Sequence, residues 1–361
     1  MLYIRADGNT DIGMGHVMRC LSVAEAADAG KMPKPVFITA DAGCRGMIED
    51  RGFRVIVLNT DYKDMMSELP KLEKILRIDE DRLLVDSYQV TREYYLALRK
   101  LVKVACFEDM GQAYPVDLLI NYNIYAPNLE RHYKAPRTDS AARDTYPGKV
   151  LLGVDYMPLR KAFQEPSAYK VRDQAASVTI TTGGSDPYFA TASLADALIN
   201  DEFIAKQGIS MHLVSGPFNR FADELKRRYR TYENITVHEN VKDMRSLLLD
   251  SDVVISAAGS TIYEVSALGV PMIVFYFAEN QRQGAEALGA LTDIVNAGCF
   301  ADSGKSVADK AARALKKCIC DKSYRIRLNQ QEKGLIDGKG ASRIMQQLGT
   351  GFLEASGIAR G

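Results

Sequence analysis

The chain of 361 residues carries 46 Lys plus Arg against 46 Asp plus Glu, a formal net charge of +0, with 47% hydrophobic and 25% charged residues. That is ordinary globular composition, and at roughly 150 residues per domain the length predicts two domains, each able to bury a core. The charge balance argues against nucleic acid as the main partner and leaves no long-range field to steer an anion, so an anionic ligand must be held by local geometry.

The opening residues place Arg5 and Asp7 where a secretion signal has its apolar core. Short apolar β-rich runs then alternate with helical patterns, which predicts parallel α/β units. In the first half the predicted strands are Leu2–Ala6, Val36–Ala40, Val55–Leu58, Leu83–Asp86, Val102–Phe107, Leu118–Asn121 and Val150–Val154. Helical periods fall at Val17–Ala29, closed by Gly30 as a cap, and at Arg92–Lys100. Residues 156–176 break the rhythm with two Pro and no strong period, and are read as a linker. Beyond it come strands Val178–Thr182, Ser210–Val214, Ile235–His238, Val253–Ser256 and Met272–Phe277, with helices near 188–199, 220–230, 242–249, 261–268 and 281–296. Helices within 306–353 finish the second half, and the tail from Gly357 is expected to fray.

The expected division is therefore a Rossmann-like domain over 1–155, the linker, a second Rossmann-like domain over 177–340, and a C-terminal helix and tail over 341–361 that packs back across the junction. The expected architecture is α/β with a cleft between the two domains, a usual ligand site. The longest apolar stretch, Val270–Ala278, is too short to span a bilayer, so no membrane span is expected. Six Cys without a Cys-x-x-Cys pair read as reduced thiols of a cytoplasmic protein. Only four His are present, at 16, 132, 212 and 238, so proton-shuttling groups are scarce.

Four segments carry chemistry. Arg5-Ala-Asp7 through Ile12-Gly13-Met-Gly15-His16 to Arg19 joins the first strand to the first helix, at the sheet edge where open α/β folds bind ligands. Gly13 and Gly15 allow turns and close ligand approach, and the positive helix end favours a neutral His16 able to act as a base, with Arg19 one turn on. A tight turn with a capping His is the plainer reading of the same residues. Thr181-Thr-Gly183-Gly184-Ser185-Asp186-Pro187 offers Ser185 or Asp186 as an N-cap, Pro187 in the first helical turn, and two Gly exposing backbone N–H groups to an anion. Ser256-Ala-Ala-Gly259-Ser260-Thr261-Ile-Tyr-Glu264 could cradle a phosphate. Thr261 and Glu264 fit a capping box, or Glu264 accepts both hydroxyls of a ribose. Ala278-Glu-Asn280-Gln281 adjoins the same edge, making Asn280 and Gln281 candidate sugar or phosphate contacts.

Taken in order, these motifs and the linker Gly153-x-x-Tyr156-x-x-Leu-Arg160 resemble the UDP-sugar hydrolases of pseudaminic acid biosynthesis, GT-B-fold relatives of the MurG transferases, from residue 1 to about 285. The resemblance implies that His16 is the general base for water. It puts the diphosphate on Gly184, Ser185, Gly259, Ser260 and Thr261, with Gly15, Gly183, Asp186, Asn280 and Gln281 as further UDP-binding residues. The ribose falls to Glu264 and the uracil to backbone near Val241. The sugar side would be Asp7, Gly13, Arg19, Asp86, Tyr88, Asn121 and Asn123. Two departures fall there: Ser87 separates Asp86 from Tyr88, and Phe107-Glu108-Asp109 stands where a double Asp is expected.

The implied reaction is inverting hydrolysis of a UDP-linked diacetamido-trideoxyhexose without metal or other cofactor. UDP leaves as a stable anion and needs no acid partner, unlike the alcohol released by inverting glycosidases. Helix N-termini at Ser185 and Ser260 would stabilise its charge. The expected partner is the UDP-sugar, on a monomer or weak homo-oligomer. A GT-B glycosyltransferase passing the sugar to an alcohol is the main rival. A non-catalytic nucleotide-sugar binding module and a Rossmann oxidoreductase stand further off, the latter because neither Gly loop gives Gly-x-Gly-x-x-Gly.

Overall fold

The computed structural model describes residues 1–9, 11–29, 32–134 and 144–351, excluding the side chains of 28, 29, 280, 350 and 351. Gly30, the tail from Gly357 and the Asn280 side chain therefore lie outside the described residues. The chain forms two compact units, Met1–Lys161 with the residues from Gly338 on, and Ala162–Asp337.

The first unit holds strands β1 (Leu2–Ala6), β2 (Val36–Thr39), β3 (Arg54–Val57), β4 (Arg82–Asp86), β5 (Lys103–Phe107), β6 (Leu118–Asn121) and β7 (Lys149–Leu152). Its helices are α1 (Gly15–Ala29), α2 (Arg45–Glu49), α3 (Leu69–Ile75), α4 (Arg92–Leu98) and α5 (Glu130–Tyr133). All strand pairs are parallel, in the order β3-β2-β1-β4-β5-β6-β7. The strands are apolar on both faces because both are covered, as parallel sheets require. Ile4, Phe37, Leu84, Ala105 and Ile120 pack on α1, whereas Ile38, Leu83, Val85, Val104 and Leu119 pack with Leu72, Tyr94, Tyr95 and Leu98 of α3 and α4.

The second unit holds β8 (Ser177–Thr181), β9 (Ser210–Ser215), β10 (Ile235–Glu239), β11 (Val253–Ala257), β12 (Met272–Tyr276) and β13 (Val295–Cys299), all parallel, in the order β10-β9-β8-β11-β12-β13. Its helices are α6 (Ala190–Ile199), α7 (Glu202–Lys206), α8 (Ala222–Tyr229), α9 (Met244–Leu249), α10 (Thr261–Leu268), α11 (Glu279–Leu291), α12 (Phe300–Cys320) and α13 (Lys322–Lys333). Several begin at a side-chain cap: Asp201, Asp243 and Asp321 accept first-turn N–H groups of α7, α9 and α13. Gly269, at φ +70°, ends α10 in the left-handed conformation. Among the described residues no helix is long and apolar enough to cross a membrane.

The chain then returns to the first unit, where α14 (Gly340–Gln346) packs on α1. A Cβ at Gly340 would meet Met157 backbone atoms at 2.2–2.6 Å, so only glycine allows this approach.

Three local expectations are corrected. The helix expected over 281–296 stops at Leu291, and Val295–Cys299 forms β13, an edge strand whose short apolar run merges with the preceding helical period. Ser185 and Asp186 do not occupy the N-cap position, and Pro187 lies outside the helix: α6 starts at Ala190 after Phe189, whose backbone is left-handed at φ +53°. Thr261 is the first residue of α10 and Ser260 its N-cap, without a side-chain capping bond, so Thr261 and Glu264 are one position late for a capping box.

Candidate functional site

Both sheets reverse strand order beside their first strand, the first between β1 and β4 and the second between β8 and β11. Loops leaving such neighbouring strands diverge to opposite faces and open a crevice at their C-terminal ends, where α/β sheets take ligands. The segment bearing His16 follows β1, and Asp86 is the last residue of β4, so topology alone brings them together. Likewise Gly183–Asp186 follows β8 and Ala258–Thr261 follows β11, with Thr181 and Ser256 in register.

In the first unit a buried ionic cluster surrounds His16. Its Nδ1 lies 2.7 Å from Asp86 Oδ1 and 3.2 Å from Arg19 Nη2. A carboxylate only accepts and a guanidinium only donates; the shorter contact assigns a proton to Nδ1, so in the neutral tautomer the basic lone pair is on Nε2. Asp86 also accepts from Arg19 Nε and Nη2, each at 2.5 Å. Burial alone would raise the Asp86 pKa, but the Arg19 charge and then His16 outweigh it and hold the carboxyl well below its ordinary range. Arg19 Nη1 continues to Tyr122 OH at 2.9 Å and Asp109 Oδ2 at 3.1 Å, and its guanidinium lies 5.0 Å from the Phe107 ring centroid. Tyr88 donates its hydroxyl to Asp109 Oδ2 at 2.9 Å while its ring meets His16 edge-on, centroids 4.6 Å apart. Burial and Asp109 both push the Tyr88 pKa up, so the phenol keeps its proton.

His16, Arg19, Asp86 and Tyr88 thus converge. Asp109 and Tyr122, outside the expected set, complete the cluster; each follows a strand end by one or two residues, the signal by which both could have been found. The remaining residues of the expected sugar side are placed differently. Asp7 turns inward, accepting from Ala40 N at 2.7 Å and Arg5 Nη1 at 2.6 Å, while Arg5 is clamped by Glu68. Asn121 is fully buried and holds Tyr133 OH and Asn123 Nδ2. Gly13, at φ +73°, closes a turn through its N–H to Asn9 O, and Gly15 opens α1. The glutamate in place of an expected Asp has a structural role: Glu108 accepts from Met110 N, Gln112 N and Tyr133 OH, bracing the loop that presents Asp109.

In the second unit the two glycine-bearing loops differ electrostatically. Asp186 is buried and its oxygens accept from Ala190 N at 2.7 Å and Thr191 N at 3.0 Å, so its own carboxylate already occupies the positive end of α6. At α10 the N-cap Ser260 makes no side-chain capping bond, and a Cβ at Gly259 would meet nothing within 4 Å. Of the two helix starts expected to bind anion, the Gly259–Thr261 turn is the one open to it. Gly183 is left-handed at φ +83°, and Gly184 and Ser185 are exposed. Gly216, absent from the sequence expectations, holds this loop: a Cβ there would stand 2.1 Å from Gly183 O and 2.6 Å from Gly184 O, and Phe218 N donates to Gly184 O at 2.9 Å. The Gly-Pro pair directly after β9 is the signal that marks it. Glu264 is buried on α10, Val241 is half-buried beyond β10, and Gln281 Oε1 accepts the Phe277 N–H at 3.0 Å.

Comparison with known proteins agrees with this architecture. Residues 178–343 match the glycosyltransferase family 28 C-terminal domain. The chain is 26% identical over 359 residues to the spore coat polysaccharide biosynthesis protein SpsG of Bacillus subtilis, covering 94% of this chain and 95% of that one. It is 28% identical over 297 residues to an uncharacterised protein of Methanocaldococcus jannaschii, covering 78% of this chain but 56% of that one, so it spans little more than half that relative's length. The crystal structure of Acinetobacter baumannii MurG superposes with a TM-score of 0.62 at 13% identity, covering 96% of this chain and 98% of that one. The fold is GT-B, two Rossmann-like domains each built on a parallel sheet.

Proposed function

We propose that this protein hydrolyses a UDP-linked diacetamido-trideoxyhexose with inversion and without metal, releasing UDP and the free sugar for nonulosonate biosynthesis of the pseudaminic-acid type. The observation that carries the reading is the Asp86–His16 pair at the strand-order reversal of the first sheet, which orients the imidazole through Nδ1 and turns Nε2 away from the carboxylate. In the proposed step His16 Nε2 takes a proton from water and the water oxygen bonds to the anomeric carbon. The anomeric C–O bond to the β-phosphate breaks from the opposite face, its electron pair leaving on UDP. Arg19 and Asp86 act through His16 as positioning residues rather than as direct sugar contacts.

The UDP is assigned to the second unit. Gly184, Ser185 and the Gly259–Thr261 turn hold the diphosphate, Glu264 the ribose, and the backbone near Val241 the uracil. The open helix end at α10 supplies fixed N–H dipoles where charge develops on the leaving group, the kind of preorganised stabilisation that lowers a barrier most. Asp186 supports its loop from beneath instead of meeting phosphate. The experiment is His16→Asn: turnover of the UDP-sugar to UDP is abolished while UDP affinity by calorimetry is kept. Full retained activity, or a strong requirement for added divalent metal after EDTA treatment, overturns the reading.

A further inference from the structure

Asp86, Arg19 and Tyr88 all touch the His16 imidazole, but they stand at different depths. Asp86 is fully buried, His16 and the Arg19 side chain keep 8% and 10% exposure, and Tyr88 is 56% exposed. Of these three contacts the surface-facing one is an aromatic ring set edge-on at 4.6 Å. That ring is not loose: its hydroxyl donates to Asp109 Oδ2 at 2.9 Å, and the same oxygen is held from the other side by Arg19 Nη1 at 3.1 Å. A tyrosine tethered at its tip, over a base left with so little exposure, acts as a screen by size. A water molecule needs only a small gap, whereas an alcohol carries carbon substituents that the ring excludes.

We propose that Tyr88, latched through Asp109, is the residue that selects the nucleophile, admitting water to His16 and excluding alcohols. The proposal rests on the hydrolase reading of this site and adds to it the physical reason why a glycosyltransferase-type fold would transfer a sugar to water. With the screen removed, methanol enters in water's place. Its oxygen bonds to the anomeric carbon, its hydroxyl proton passes to His16 Nε2, and the C–O bond to UDP breaks with the electron pair leaving on UDP, so a methyl glycoside forms instead of free sugar.

Two measurements on the full chain test this, one of which needs no substrate. Carbethoxylation of His16 by diethyl pyrocarbonate, followed residue by residue by peptide mass spectrometry, is severalfold faster in Tyr88→Ala than in the wild type. In Tyr88→Phe, which keeps the ring and loses the latch, it falls between the two. With a UDP-linked diacetamido-trideoxyhexose in aqueous methanol, the wild type gives free sugar, and Tyr88→Ala gives a methyl glycoside as a substantial share of product by NMR. Unchanged labelling of His16 in Tyr88→Ala overturns the screen, as does a methyl glycoside share equal to that of the wild type. If the wild type releases no UDP from such a substrate, the hydrolase reading fails, and the labelling rates still decide whether Tyr88 covers the base.

Discussion

Asp86→Asn isolates what the buried carboxylate does for His16. Asp86 accepts from His16 Nδ1 at 2.7 Å, from Arg19 through Nε and Nη2, and from the Cys20 thiol at 3.5 Å. Asparagine has nearly the same shape but one acceptor oxygen, so about two of these bonds are lost. If its oxygen stays with Arg19, its amide donates to His16 Nδ1, moving the imidazole proton to Nε2 and removing the base. A positioned general base contributes about 10²- to 10⁴-fold to rate, and kcat falls by that factor. At 1.36 kcal/mol per decade the barrier rises by about 2.7–5.4 kcal/mol. Arg19 keeps Tyr122 and Asp109, so the cluster stays assembled and the variant folds. The assay is UDP release under saturating substrate, with UDP affinity measured alongside by calorimetry. Wild-type kcat in Asp86→Asn refutes the reasoning, as does a loss of activity matched by an equal loss of UDP affinity.

Gly216→Ala places a methyl where Gly183 O and Gly184 O already stand, so the Gly183–Asp186 loop must shift; UDP affinity by calorimetry falls about tenfold or more while CD spectra are retained. Glu332 is fully buried on α13, and burial holds its carboxyl pKa well above the ordinary value against a partly opposing Met272 backbone bond. As pH rises above about 4.3 the unfolded chain loses this proton and the folded one keeps it, costing about 1.4 kcal/mol of stability per pH unit. Glu332→Gln removes that slope, so urea unfolding shows the variant gaining on the wild type between pH 5 and 7, and a pH-independent difference contradicts it. His212 and His238, with Nδ1 and Nε2 3.0 Å apart, both have pKa values lowered by burial, opposed at His212 by Asp250 and reinforced at His238 by His212. The unfolded chain then binds more protons below its His pKa of about 6.5, so stability falls as pH drops from there, and His212→Gln with His238→Gln flattens the acid limb of the unfolding profile.

The alternation of apolar runs and helical periods was enough to read two parallel α/β units, because a strand buried on both faces is a continuous apolar run whatever its neighbours. The Gly-bearing segments after β1, β8 and β11 were legible for a related reason: turns that expose backbone N–H groups need glycine. What could not be read is which polar side chains face a ligand and which face the protein. Asp7 and Asp86 both end strands of the same sheet, yet Asp7 pairs inward with Arg5, whose partner Glu68 lies sixty residues on, and Asp86 pairs with His16. Asp186, beside two Gly, accepts the backbone N–H groups of Ala190 and Thr191, a pairing the local sequence does not reveal. β13 was hidden because five residues with a Gly near the end give too little period to separate from the α11 pattern. For Asp7 and Asp86 the deciding partner is distant in sequence.

The return of the chain to the first unit bears on the order of assembly. Ala341, Ile344, Met345 and Leu348 belong to the same core as Val17, Leu21 and Ala24 of α1, with Ile4 and Leu84 of the sheet beneath. A ribosome delivers these four residues only after all of Ala162–Asp337 has been made. The first sheet to be synthesised is thus the last to be sealed, and α1, which carries His16 and Arg19 on its first turns, emerges with one apolar flank uncovered. Closure of the core around α1 therefore waits until α14 docks, and a chain stalled before Gly338 carries His16 and Arg19 on a helix with one flank uncovered.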